Sequence, residues 1–348
     1  SYTSDINLSV MGNLFKTVPS RLTIGNTDNS GILNTSNFKR STASIALNPS
    51  FFDNHLKINL TGNYSYTFRT NADEGAIGSA ISYDPTQSVY DPNSIFAGYT
   101  EWVVGGLPKG TANPVSLLDE RRSIGNQFRF FGNINIDYKF HFLPELRAII
   151  NAGMDKNDGD GSVTVNPLSR SGYISNMQVG SYSETWYHNK NENLNAQLNY
   201  TKAFGKLNVD LLAGYEYQQF DWQNYYSGNK NLFGLGVNEE VKEDVYTDPG
   251  NNLQAFFGRL NLGYNDKYLL TVNFRRDGST RVSPVNKWAN FPGVAFAWKM
   301  KEESFLKDSK TFSDLKLRLS YGETGQQNLA SSLAWIKKYS TSNNNYYQ

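Results

Sequence analysis

The sequence predicts an all-β protein, a partial antiparallel transmembrane β-barrel, and three observations predict it. Apolar and polar residues alternate with period two in segments of about ten residues, the pattern of strands with two unlike faces. Many of the apolar faces end in tyrosine, phenylalanine or tryptophan, whose rings suit the two interfaces of a bilayer. The links between segments run short and long by turns, as in barrels with tight turns on one side of a membrane and long loops on the other.

In chain order, the alternating segments lie near 5–15, 20–26, 38–50, 56–68, 128–140, 145–154, 193–202, 207–217, 253–265, 267–276, 290–299 and 315–321. In 56–68, Leu56, Ile58, Leu60, Tyr64, Tyr66 and Phe68 share one face; Lys57, Asn59, Thr61, Asn63, Ser65 and Thr67 share the other. In 207–217, Val209, Leu211, Ala213, Tyr215 and Tyr217 oppose Asn208, Asp210 and Glu216. Near the end, Leu315, Leu317, Leu319 and Tyr321 oppose Lys316, Arg318 and Ser320. Sandwich strands average about five or six residues, whereas a tilted membrane-crossing strand needs about nine to eleven. The segments here match the second length. Tight links are read at 52–54, 142–145, 202–206 and 265–267, and long polar links at about 69–127, 155–192 and 218–252. Helical periodicity is lacking, apart from a turn at 301–306.

Composition removes several function classes. With 33 basic against 32 acidic side chains the net charge is +1, without the basic excess of a nucleic-acid binder. There is no cysteine, so disulfides, thiolate zinc sites and cysteine nucleophiles are excluded. The 3 histidines (His55, His141, His188) lack metalloprotease spacing, and no metal or cofactor is expected. No run approaches the ~20 apolar residues of a membrane-spanning helix. The mean hydropathy of −0.54 still fits a barrel, because lipid-facing and lumen-facing residues cancel in the average. The Asp- and Gly-rich segment 155–162 fails the EF-hand spacing and reads as a loop tip. Ser36 and Lys39 have SxxK spacing without the accompanying motifs of serine hydrolases. Glu101, Asp119 and Glu120 are the carboxylates a glycosidase reading would use, but nothing in the sequence sets their separation.

The run Tyr264-Asn-Asp-Lys-Tyr-Leu-Leu-Thr-Val-Asn-Phe-Arg-Arg-Asp-Gly-Ser-Thr-Arg281 resembles the SusC/RagA-type TonB-dependent outer-membrane transporters of Bacteroidetes. The resemblance continues through Trp288-Ala-Asn-Phe-Pro292, Ala297-Trp298, Glu303-Ser-Phe305, Leu317-Arg-Leu-Ser-Tyr-Gly322 and Thr324-Gly-Gln326. Thr27-Asp-Asn-Ser-Gly-Ile32, Phe38-Lys-Arg40 and Gly214-Tyr-Glu-Tyr217 match as well. Val282 departs from the phenylalanine usual after the arginine. The resemblance implies a barrel of about 22 strands around an N-terminal plug, of which roughly a dozen strands are present here. It also implies a SusD-like surface lipoprotein partner, energy passed through TonB–ExbB–ExbD, and import of oligosaccharides or peptides across the outer membrane of a Gram-negative bacterium. Outer-membrane lipid is the implied surrounding. On this reading residues 1–348 are an incomplete barrel domain. The plug, the TonB-contacting segment and the C-terminal strands are absent, and the polar tail at 340–348 offers no closing strand.

The function so implied is binding and gated passage, with no catalytic residues. Loop aromatics are the candidates for touching substrate or the lipoprotein lid: Tyr99 and Trp102 in the first long link, Trp186 and Tyr187 near the second, and Trp222, Tyr225 and Tyr226 in the third. Flat rings can stack on sugars or anchor a protein interface; packing the loops together is the other use for them. The polar face carries Arg129, Asn133, Asp137, Arg147, Asn151, Arg259, Arg275 and Arg318, which would line the lumen and, by the resemblance, pair with the plug. Two other readings stay open. A secreted all-β carbohydrate-active enzyme would need two buried sheet faces and two close carboxylates. A non-transporting surface barrel or adhesin would have no plug.

Overall fold

The computed structural model describes residues 1–174, 177–230, 242–326 and 335. In chain order the elements are β1 (Tyr2–Leu14), β2 (Val18–Ser30), β3 (Asn37–Leu47), β4 (Ser50–Phe51), β5 (Leu56–Asn71), α1 (Gly75–Ser82), β6 (Val103–Val104) and β7 (Leu107–Pro108). Next come α2 (Pro114–Asp119), β8 (Arg121–Lys139), β9 (Leu146–Val165), β10 (Tyr173–Ile174), β11 (Met177–Gln178), β12 (Ser181–Phe204) and β13 (Leu207–Lys230). The chain continues with β14 (Lys242–Tyr264), β15 (Tyr268–Ser279), β16 (Trp288–Lys299) and β17 (Lys316–Gly322). One antiparallel sheet follows the order β1-β2-β3-β5-β8-β9-β12-β13-β14-β15-β16-β17, with β4 pairing β5. Each segment read as a strand from its alternation is a strand of that path. Every connection joins neighbours, so the path is an up-and-down meander, the topology of a barrel wall. The tail at 340–348 lies outside the described residues.

Register assigns the two faces. Leu56, Ile58, Leu60, Tyr64, Tyr66 and Phe68 lie opposite Tyr138, Ile136, Ile134, Phe130, Phe128 and Asn126, so apolar positions stack row on row across the sheet. The same face continues through Ile150, Ala196 and Tyr215, then through Leu211, Leu260 and Val272. Leu198 and Leu211 are each 48 % exposed and Leu8 is 64 % exposed, so this band is unburied by protein and belongs against lipid. On three neighbouring strands it ends at one level: Met154, Glu192 and Gln219 stand in one row, and beyond them Lys156, Lys190 and Asp221 occupy the outward positions. The residues buried in the dry sense lie elsewhere. Ala76, Phe96, Tyr99 and Val179 belong to the loops, which hold most of the small protein core, and Val165 of β9 and Ala255 of β14 add to it.

Aromatic rings cap the band at both ends. At the tight-turn end Tyr264 stacks on Tyr268 (6.4 Å) and Tyr268 on Trp298 (6.2 Å); at the other end Tyr215, Phe256 and Trp288 are spaced 5.2 and 6.2 Å apart. The tight-turn set is aimed by one carboxylate. Glu303 accepts hydrogen bonds from the Tyr268 hydroxyl (2.7 Å), Lys267 Nζ (3.0 Å) and Trp298 Nε1 (3.1 Å). Those donors, the tyrosine first, hold its pKa down to about 2 from the ordinary 4.5. A carboxyl depressed in this way contributes stability that is complete above pH 4.5 and fades as the pH falls towards 2. Glu303→Gln is therefore expected to flatten the acid limb of the unfolding midpoint between pH 4.5 and 2, with little change in that slope above it. Denaturant midpoints of the full-length protein in detergent, taken across that range, check it; an unchanged acid limb would refute it.

Two expectations from the sequence are corrected. Within the stretches 155–192 and 218–252, residues 155–165, 181–192, 218–230 and 242–252 are strand and not loop. β12 and β13 run 24 residues each, about 80 Å at ~3.3 Å per residue, roughly twice what a tilted crossing needs. The alternation disappears there because both faces are polar above the lipid, while the backbone ladder continues regardless of side-chain polarity. The segment 155–162 is accordingly the upper part of β9, hydrogen-bonded on both sides, not a loop tip. The first long link does form a loop, from 72 to 120, but it contains α1 and α2, of 8 and 6 residues. Helices so short show no usable period. The turn expected at 301–306 begins as a 3-10 turn at Met300–Glu302.

Candidate functional site

The inward face and the loops above it form the candidate site. Among the sequence-derived lumen candidates, Arg129, Asp137 and Arg147 share the inward face of β8 and β9 with Asn133 and Asn151. Arg259 and Arg275 share that face on β14 and β15, and Arg318 has it on β17. The structure also gives most of them partners within the wall. Arg129 grips Asp155 with two bonds, Nε to Oδ1 at 2.9 Å and Nη2 to Oδ2 at 2.7 Å. Arg147 does the same to Asp137, and Arg259 lies 3.7 Å from Asp210. Arg275 holds Glu216 at 2.9 Å and Asp277 at 2.6 Å. It reaches Glu216 two strands away because the residue between them is the small Ala255, opposite Glu216 and 2 % exposed. Arg318 makes no ion pair among the described residues. The pairings of Arg129, Arg147 and Arg259 are diagonal across the ladder, a relation fixed by register that the period of one strand does not reveal.

The seven aromatic candidates separate by face. Tyr187 of β12 and Trp222 and Tyr226 of β13 point inward, in rows with Asn224, Asn189 and Thr185. Trp186 and Tyr225 are directly opposite one another on the outward face, their rings stacked at 5.5 Å and 16°. Tyr99 is 8 % exposed and gives its hydroxyl to Asp119 at 3.0 Å; burial, then that carboxylate, push its pKa up to about 12. It packs the loop and presents no free face. Trp102 stays 44 % exposed, beside Gly110. The sequence placed all seven in loops; only Tyr99 and Trp102 are there.

The loop 72–120 and the described residues of the link, 166–174 and 177–180, are built as one body. Asn113 starts α2: its Oδ1 accepts from Val115 N (3.0 Å) and Ser116 N (3.4 Å), and Pro114 follows at the first turn. Its Nδ2 donates to Val89 O (2.7 Å) and Thr100 O (3.2 Å), so this wholly buried side chain is fully used. Glu101, whose side chain is also wholly buried, accepts from Asn113 N (2.9 Å) and pairs with Arg170 at 2.9 Å. Arg170 donates further to Lys109 O and Gly110 O. Phe96 meets Tyr173 edge-on at 6.0 Å, and Gln178 donates to Ile95 O. The three carboxylates of the glycosidase reading are thus all engaged in structure: Glu101 with Arg170, Asp119 with Tyr99, and Glu120 with Asn166.

No protein-family model matches the chain. It is 36 % identical to the TonB-dependent receptor SusC of Bacteroides thetaiotaomicron over 99 % of its own length and 36 % of the receptor's. It is 29 % identical to the TonB-dependent receptor P26 of Formosa agariphila, over 78 % of this chain and 28 % of that protein. The chain thus spans about a third of the length of the curated relatives it matches. Among solved structures it superposes on the RagAB peptide transporter with a TM-score of 0.68 at 19 % identity, covering 94 % of this chain and 37 % of that one, a likeness of fold.

Proposed function

Because the chain belongs to the SusC-type family of TonB-dependent receptors, whose members are not enzymes, we propose that it forms part of the barrel wall of an outer-membrane importer. The observation that carries this reading is the outward apolar band, capped by aromatic rings at both ends, on strands that continue well above it. That shape supports a wall which crosses the bilayer and rises as a polar vestibule into the surroundings of the cell. The inward face is polar and largely self-neutralised, suited to a wet lumen and to a plug contributed by the rest of the receptor. The passage would be gated binding of oligosaccharides or peptides, driven through TonB–ExbB–ExbD, with a SusD-like lipoprotein resting on the loop body of 72–120 and 166–180.

An antibody to the 72–120 loop tests the reading in the source cells. The expected result is a band confined to the outer-membrane fraction, much heavier than 39.2 kDa, which brings down a lipoprotein. Deleting the gene should abolish growth on one class of oligosaccharide or peptide and spare growth on the monomers. A soluble band, or a deletion strain that grows normally on every oligomer tried, would sink the importer reading.

A further inference from the structure

On the inward face, above the apolar band, four strands bring one polar groove together. Register aligns Arg69, Gly125, Gly161 and Thr185 in a row across β5, β8, β9 and β12, and Thr67, Gln127, Gly159 and Tyr187 in the next. Three of the inner positions are glycine, and none has a positive φ, so backbone conformation does not require them. Glycine inside a strand weakens it and marks a place where a ligand or another backbone comes close. Part of the cleared space holds two flat groups. Arg69 lies along Gly125, its Nε 3.2 Å from where a Cβ would stand, and the Tyr187 ring lies where a Cβ on Gly159 would be. The result is a shallow pocket of about 140 Å³.

Its charge is simple. Arg69 is exposed and makes no ion pair or hydrogen bond among the described residues. The inward arginines on either side are neutralised, Arg121 by Asp73 at 3.9 Å and Arg129 by Asp155 at 2.7 Å. Asp160 turns to the opposite face, where it accepts from Asn126, which in turn accepts from the Tyr66 hydroxyl. One unpartnered guanidinium therefore stands beside a phenol ring. Gln127 adds an acceptor, since its Nε2 is spent on Asn157 and its Oε1 is not.

We propose that this groove binds a sugar acid, with the carboxylate on Arg69, one pyranose face on Tyr187 and ring hydroxyls on Thr185 and Gln127. A guanidinium fork matches a carboxylate with two parallel hydrogen bonds. A flat ring beside it offers the apolar platform that the C–H face of a sugar needs and an acidic peptide does not. The inference rests on the importer reading and narrows its substrate class.

Calorimetric titration of the full-length receptor in detergent tests it. Three probes are needed: a short glucuronate-containing oligosaccharide, the same oligosaccharide with its carboxylates reduced to alcohols, and a glutamate-rich peptide. The acidic sugar should bind roughly tenfold more tightly than either of the others, the worth of a charge-assisted pair. Arg69→Gln should abolish the preference over the reduced sugar, while Tyr187→Ala weakens both sugars together. Gly159→Ala, which displaces the Tyr187 ring, should act like Tyr187→Ala and serves if that variant fails to fold. Equal binding of all three probes, tighter binding of the peptide, no binding of the acidic sugar, or an Arg69→Gln receptor that keeps the preference would each overturn the proposal. A deletion strain that loses oligomer growth while the receptor shows no acid preference leaves the importer intact and removes only the groove.

Discussion

Replacing Leu198 by arginine is expected to destabilise the barrel by about 2–4 kcal/mol, the cost of a cation near the middle of the lipid face of an outer-membrane strand. The same substitution one residue earlier, Gln197→Arg, is expected to change stability by no more than ~0.5 kcal/mol, as for an ordinary solvated position. The contrast follows from register alone. Leu198 stands in a row with Ala148 and Ala213 on the outward face, within a run from Leu194 to Phe204, whereas Gln197 stands with Ile149 and Gly214 on the inward face. A desolvated guanidinium at 198 cannot reach water without crossing half the band, although snorkelling keeps the penalty to a few kcal/mol. Urea midpoints of the full-length receptor refolded into phospholipid vesicles, with heat-modifiable migration as the readout of folding, measure both. If the two variants are equally destabilised, the sheet is two-sided and soluble; if Gln197→Arg is the worse, the faces have been exchanged.

How much of this was legible in the sequence depends on where polarity changes along a strand. Within the bilayer the two faces see different solvents, so residues such as Leu207, Val209 and Leu211 alternate strictly with Asn208 and Asp210, and each crossing strand is marked. Above the bilayer both faces see water. At Trp186-Tyr187-His188 the pattern is silent although the ladder to β9 and β13 is unbroken. That silence put five of the seven aromatic candidates in loops, and it hid the division between inward Tyr187, Trp222 and Tyr226 and outward Trp186 and Tyr225. The inward direction of Arg129 or Arg275 could be read from period two. Their partners could not, because Asp155 and Glu216 come within reach only through the register of neighbouring strands. The glycines at 125, 159 and 161 were equally invisible as a group: they lie on two strands, separated in sequence by a turn and some thirty residues, and register alone sets them side by side. Glu303 was visible as part of a motif, but its work as a common acceptor for Lys267, Tyr268 and Trp298 was not.

Glu101→Ala is expected to release the loop body while leaving the barrel folded. The side chain of Glu101 is wholly buried and Arg170 is 20 % exposed, so truncation strands a cation in a dry place, a loss of about 3–5 kcal/mol for a broken buried pair. It also removes the acceptor for Asn113 N, the residue that caps α2 and ties Val89 and Thr100 together. The cost falls locally, because the partners of Glu101 and Arg170, namely Asn113 N, Lys109 O and Gly110 O, all lie within the loop body. At ~1.4 kcal/mol per decade, amide exchange across 72–120 and 166–174 should therefore accelerate by roughly two to four orders of magnitude in the full-length receptor. Amides of β12 and β13 within the lipid band should keep their protection. Glu101→Gln, which retains an oxygen for Asn113 N but not the charge for Arg170, should fall between, and the difference between the two variants isolates the ion pair from the cap. Unchanged exchange in Glu101→Ala would mean that the loop is held by its apolar contacts alone. Loss of protection spreading into the strands would mean that the loop body braces the wall beneath it.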